Sequence, residues 1–382
     1  MTYEKDLQEL ESNPFKIVYP KTISPKMFLK LFSKEYTWIN KLKEREDIFI
    51  KGSRGSGKTT LLYYFNIEIL KHMYNSIDDF LDDKINKDNQ IIGIYLDGKT
   101  DFEQGNSNYF YTQIDDIRFR NLKKNLCKQD IFYTLVRKIL ISLNKNFNSI
   151  LKNKQISEKI RSDMNFFLEN YLKIEIDFEN KNEIKFSELV NLINEKLIQR
   201  IQFNIEGYLN LFYKGEITEK PGFSHSLDLT KINDFIILIK RILPEISNFS
   251  FFILLDDGDR LIKNYQEVFN LLIKPRDHDN YCLKIVLEKG WEEWKYSYSQ
   301  SNHIQTPHDY DIIDLNELYS NNLRIYSKQV KKISRKRLNL LTDEEIPLED
   351  FFPYSTSQIR IRKKFRKSYY QELLERYGYT EK

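Results

Sequence analysis

Cysteine is nearly absent from the 382-residue chain, which has two, Cys127 and Cys282. So distant a pair points to a reducing compartment and excludes a disulfide-stapled fold. Glycine and proline are scarce, at 12 and 9, which rules out collagen-like or linker-like sequence. No apolar run approaches the roughly 20 residues of a bilayer-spanning helix; the strongest is Phe251-Phe252-Ile253-Leu254-Leu255. The start, Met1-Thr2-Tyr3-Glu4, is not a basic stretch before an apolar core, so no secretory signal is expected and a cytoplasmic location is. Among the five histidines only His303 and His308 lie close together, and no zinc site is expected.

Apolar residues make up 41% of the chain and aromatics 14%, which supplies a sizeable core and excludes disorder. The length suggests two to three domains. The net charge of +4 is uneven, since residues 321–382 hold 15 Lys/Arg against 8 Asp/Glu. A basic tail on a near-neutral body fits an anionic partner. The abundance of Lys, Asn and Ile fits an AT-rich coding sequence equally well.

The patterns alternate strand and helix. Ser24-Pro25 reads as an N-cap and first helical residue, and a second helical stretch follows at 36–43. Strand-like apolar runs are expected at 48–50, 91–96, 249–255, 282–287 and 310–315. Leu61, Leu62, Phe65, Ile69 and Met73 fall at helical spacing from Thr59 onward. Acidic residues 78–88 read as a loop, and long amphipathic helices are expected at 129–152, 156–172 and 186–213. This is an α/β fold with a mainly parallel sheet. A crossover of about 150 residues is far too long for one connection, so roughly 103–230 is expected to be a helical insertion. The division is an N-terminal arm and helices (1–45), a core with its insertion (46–318) and a basic helical lid (319–382).

Gly52-Ser53-Arg54-Gly55-Ser56-Gly57-Lys58-Thr59 has the spacing of a phosphate-binding loop. Glycines let successive N–H groups turn toward phosphate oxygens, and the following helix adds its free N–H groups. Lys58 is expected to reach the β- and γ-phosphates, Thr59 to ligate Mg²⁺, and Thr60 to adjoin them. Downstream, Phe251 to Asp257 is an apolar strand ending in two carboxylates. Asp256 is the candidate metal holder, and Asp257 the candidate base for an attacking water. Asp97, at the end of the second strand, either contacts the nucleotide site or caps a turn with Gly98, and the turn is the favoured reading.

With these two motifs, GSRGSGKT and FFILLDDGDRL, the chain resembles the additional-strand P-loop ATPases. It is most similar to bacterial AAA-type proteins related to the origin-recognition and Cdc6 ATPases. Asn13-Pro14-Phe15 and the closing strand YDIIDLNEL extend that resemblance, and the double Asp followed by Asp259-Arg260 is also similar to KAP-type NTPases. The resemblance implies a P-loop NTPase core of strand order 5-1-4-3-2, ATP with Mg²⁺, and homo-oligomerisation or a protein partner. It also implies an anti-phage defence setting.

Three departures stand out. Asp257 replaces the family's usual Glu, Leu287-Glu288-Lys289 stands where a polar sensor is usual, and too few residues follow the last strand for a winged helix beside a lid. No guanine-reading Asn-Lys-x-Asp is present, which favours ATP over GTP. Arg360 is the candidate lid arginine for the γ-phosphate, Arg54 an arginine that could serve a neighbouring subunit, and Arg260 an orienter of nearby acids. The function expected is a nucleotide-dependent ATPase switch that engages protein partners. Two alternatives stay open, namely a DNA-binding or remodelling ATPase using the basic C-terminal segment and an ATP-binding scaffold without turnover.

Overall fold

The computed structural model describes residues 19–32, 38–82, 90–103, 120–151, 154–176, 184–214, 227–273, 279–288, 304–317 and 323–339. Five strands form one sheet: β1 (Ile48–Lys51), β2 (Ile91–Asp97), β3 (Ser250–Asp256), β4 (Tyr281–Leu287) and β5 (Asp311–Asp314). Their order is β2-β3-β4-β1-β5, and every pairing is parallel. β3 and β4 are buried along their whole length, which is why they do not alternate apolar with polar residues; buried Lys284 is the one charge within β4.

Helices sit where their end signals put them. In α1 (Pro25–Leu31) the Ser24 hydroxyl accepts from the Met27 N–H at the N-cap, and Pro25 opens the first turn. The stretch expected to continue as one helix from Thr59 to Met73 is instead broken. α2 (Lys58–Tyr63) ends at Tyr64, and a separate turn, Ile67–Leu70, starts at an Asn66 N-cap. The cause lies in the sheet: Asn66 bridges Gly93 of β2, and a Cβ at Gly93 would lie 1.8 Å from the Phe65 carbonyl oxygen. Only glycine admits the chain there, and that approach holds the helix break against β2. The acidic stretch is a second correction. Residues Ile77–Leu81 are helical, opened by a reciprocal capping box between Ser76 and Asp79.

Between β2 and β3 run α3 (Arg120–Asn146), the helix Glu158–Phe167 with a π turn at Leu168–Leu172, α4 (Phe186–Lys214) and α5 (Lys231–Ile242). These helices do not form a separate body. Buried residues of α3 such as Phe132, Val136 and Leu140 belong to the same apolar cluster as the sheet residues Ile92, Ile253 and Ile285. α3 also packs against α4 and α6 (Lys263–Ile273). Cys127 and Cys282 are both buried and unbridged. Among the described residues no helix is long and apolar enough to cross a membrane. From the C-terminal segment the structure describes α7 (Leu323–Leu338), which packs beside α1, with the Lys336 ammonium donating to the Phe32 carbonyl. Asn13-Pro14-Phe15 and Arg360 lie outside the described residues.

Candidate functional site

The C-terminal ends of the parallel strands converge on one loop. β1 runs out at Lys51, and Gly52 to Gly57 join it to α2. Gly55 and Gly57 have φ of 82° and 91°, a region that is free for glycine and costly for other residues. With Gly57 as N-cap, the N–H groups of Lys58, Thr59 and Thr60 begin the helix without partners inside it. The Leu61 N–H is the first to bond back, to the Gly57 carbonyl at 2.9 Å. Ser53 and Arg54 are exposed on the outer side of the loop, and Ser56 is buried beneath it.

The Lys58 ammonium donates to the carbonyls of Gly52 at 2.6 Å and Ser53 at 3.0 Å. Burial pushes Lys58 down from its ordinary pKa, against the pull of Glu288, Asp259, Asp256 and Asp257. The acids that surround this lysine therefore come from the ends of β3 and β4. Burial pushes Asp259 up from its ordinary pKa, and the charge of Arg260 opposes that rise.

Asp256, at the tip of β3, is 1% exposed. The Thr59 hydroxyl donates to its Oδ1 at 3.1 Å, and the Tyr95 hydroxyl to its Oδ2 at 2.6 Å. Burial raises its pKa, with repulsion from Asp257 adding to the rise and the Tyr95 and Thr59 hydroxyls opposing it. Asp257 follows with φ of 49°, a left-handed conformation that Asp and Asn tolerate better than other side-chain-bearing residues. It opens a single 3-10 turn, Gly258–Arg260. Asp97 pairs with Asp256 across β2 and β3, and its Oδ1 accepts from the N–H groups of Lys99 and Thr100 at 3.0 and 3.3 Å. That is the expected turn cap.

The sequence reading missed three partners. The Lys21 ammonium, from a 3-10 turn at Pro20–Thr22, bonds Asp97. Asn316, just beyond β5, accepts the Ser53 N–H at 2.9 Å through Oδ1. Tyr95 was the most legible of them, because it is the one polar-tipped side chain among the inner residues of Ile91–Asp97. Lys21 and Asn316 have no local signature, being 76 and 263 residues from their partners.

The donor set fits a nucleotide with Mg²⁺. A hydroxyl and a buried carboxylate 3.1 Å apart beside free helix N–H groups are hard oxygen ligands next to an anion cradle. Among the described residues no group of three or more His, Cys, Asp or Glu could hold a metal by itself.

A family model described as ORC-CDC6-like matches residues 13–380. The chain belongs to the ORC-CDC6-like family. No curated protein and no solved structure matches it. The ORC-CDC6-like match spans almost the whole chain, α3 to α5 and the C-terminal segment included. The family is one of nucleotide-binding AAA-type ATPases whose members commonly oligomerise.

Proposed function

We propose that this chain binds ATP with Mg²⁺ in the loop Gly52–Thr59 and hydrolyses it slowly or on partner engagement, acting as a nucleotide-dependent switch. The observation that carries this reading is the Thr59–Asp256 pair, 3.1 Å apart, between the loop and the tip of β3. In this reading the backbone N–H groups at the end of the loop and at the start of α2, those of Lys58, Thr59 and Thr60 among them, cradle the phosphates, while the Ser53 N–H stays with Asn316. Lys58 leaves the carbonyls of Gly52 and Ser53 for phosphate oxygens, which compete better for an ammonium because they carry charge. Thr59 and Asp256 hold Mg²⁺, which when bound neutralises charge on the terminal phosphates. Asp257 orients and polarises the attacking water. Its side chain is one methylene shorter than the usual Glu, which ties turnover to the state of the surrounding loop.

The arm (1–45), core (46–318) and lid (319–382) are part of the same proposal, with Arg360 as the lid arginine and a second copy or a protein partner as what the switch engages. Any effector chemistry, in an anti-phage setting or another, then belongs to the partner. The test is ATP turnover by the full chain with Mg²⁺, with and without double-stranded DNA, beside Lys58→Ala and Asp257→Asn. Turnover is expected in the parent and lost in both variants. Binding should fall on the order of 100-fold in Lys58→Ala alone, since a charged hydrogen-bonding group is removed. ATP binding with no turnover under any condition would leave a nucleotide-gated scaffold. DNA-stimulated turnover would favour a remodeller.

A further inference from the structure

The two oxygens of Asp256 have separate partners, Thr59 on Oδ1 and Tyr95 on Oδ2. Tyr95 and Asp97 share one face of β2 by strand alternation, the face on which Tyr63 of α2 sets its ring edge-on to Tyr95 at 5.1 Å and 85°. Phe28 of α1 in turn meets Tyr63 edge-on at 5.7 Å. The phenol is therefore clamped by rings and aimed at one oxygen.

Asp97 is the obvious rival acid, in register with Asp256, but both its oxygens are spoken for. Oδ1 accepts from the N–H groups of Lys99 and Thr100, and Oδ2 from Lys21. Two carboxylates thus arrive side by side at the ends of β2 and β3, and one oxygen, Oδ1 of Asp256, is left facing the Thr59 hydroxyl.

We infer that Tyr95 is a positioning residue for the metal-holding carboxylate: by occupying Oδ2 of Asp256 it leaves Oδ1, beside Thr59, as the oxygen turned to Mg²⁺. This rests on the ATP–Mg²⁺ reading above. A carboxylate free to rotate offers either oxygen or both, whereas one tethered by an outer hydrogen bond is held in one orientation.

The experiment titrates Mg²⁺ into the full chain with a fluorescent ATP analogue, and measures affinity in EDTA separately, for the parent, Tyr95→Phe, Tyr63→Phe and Asp256→Asn. Tyr95→Phe keeps the ring and its packing on Tyr63 and removes one hydroxyl. Its affinity in EDTA should match the parent while its Mg²⁺ half-saturation point rises about 10-fold, the usual scale for losing an outer partner of a metal ligand. Tyr63→Phe should titrate like the parent, and Asp256→Asn should lose most of the Mg²⁺ response. A Tyr95→Phe curve superimposing on the parent overturns the inference while leaving the ATP–Mg²⁺ reading intact. Equal weakening with and without Mg²⁺ also overturns it, because that is a merely structural role. A parent whose nucleotide binding ignores Mg²⁺ overturns the ATP–Mg²⁺ reading itself and the inference with it.

Discussion

The two ends of the same sheet carry charge in opposite ways. At the C-terminal end, Lys58, Asp256, Asp257 and Glu288 lie close together, and the partners of Lys58 are loop carbonyls, those of Asp256 two hydroxyls, which a ligand can displace. At the N-terminal end, Lys284 of β4 is 0% exposed and its ammonium donates to the main-chain carbonyls of Glu44 and Glu46 at 2.7 Å each. It lies 4.8 Å from the centre of the Phe252 ring. Asp47 beside it is 3% exposed and accepts the Leu283 N–H at 2.6 Å. A cleft of about 960 Å³ opens nearby, lined by Lys43, Arg45, Gln90, Lys240 and Asn280 among others, and no residue of the phosphate-binding loop borders it. Charge that can exchange partners is available to a ligand. Charge saturated by backbone holds the chain in place, here by stitching residues 44–47 to β4.

That division can be broken by mutation. The largest effect is expected for Lys284→Met, which removes the donor to the Glu44 and Glu46 carbonyls and the positive charge that steadies buried Asp47. Stability should fall by about 3–5 kcal/mol in urea unfolding, with nucleotide affinity per folded molecule unchanged. A loss of affinity at unchanged stability would mean that the two ends do not act separately. Next comes Asn316→Ala, which removes the acceptor of the Ser53 N–H. Unfolding should shift little, while ATP affinity drops about fivefold, the scale of one hydrogen bond of about 1 kcal/mol. An unchanged affinity would show that the loop holds its shape without β5.

The smallest effect is a slope. Burial pushes Asp47 up from 3.8 to about 7, against the Leu283 N–H and Lys284. Over that window the folded chain keeps a proton that the unfolded chain has released, so the contribution of Asp47 is fully present below pH 3.8 and is lost as the pH rises through about 7. Asp47→Asn should therefore gain in melting temperature relative to the parent as pH is raised across that window. A difference that stays constant with pH would contradict the assignment.

The legible and illegible parts of the molecule follow the same logic of range. All five strands lie within a residue or so of their apolar runs, because a buried parallel strand is predominantly apolar and Gly52, Asp97 and Asp256 stand where the apolar runs stop. The loop was legible because phosphate geometry constrains residue type at fixed spacing. The break after α2 was not, since its cause is Gly93, well along the chain on a neighbouring strand. The helix Ile77–Leu81 was hidden by its acidic content, although Ser76 and Asp79 spell a cap at the right spacing. Lys21, Tyr95 and Asn316 meet their partners only through the fold. No window of sequence contains both members of any of these pairs.

α3 has one more implication. Its Lys138 reaches Asp101 at 2.5 Å, and Asp101 in turn accepts the Asp97 N–H at 2.9 Å, at the end of the strand that presents Tyr95. A helix of 27 residues is a stiff rod, and from Lys138 back to its start at Arg120 it extends about 27 Å. Because its buried face belongs to the same apolar cluster as the sheet, the rod braces the tip of β2 along its length rather than moving independently of it.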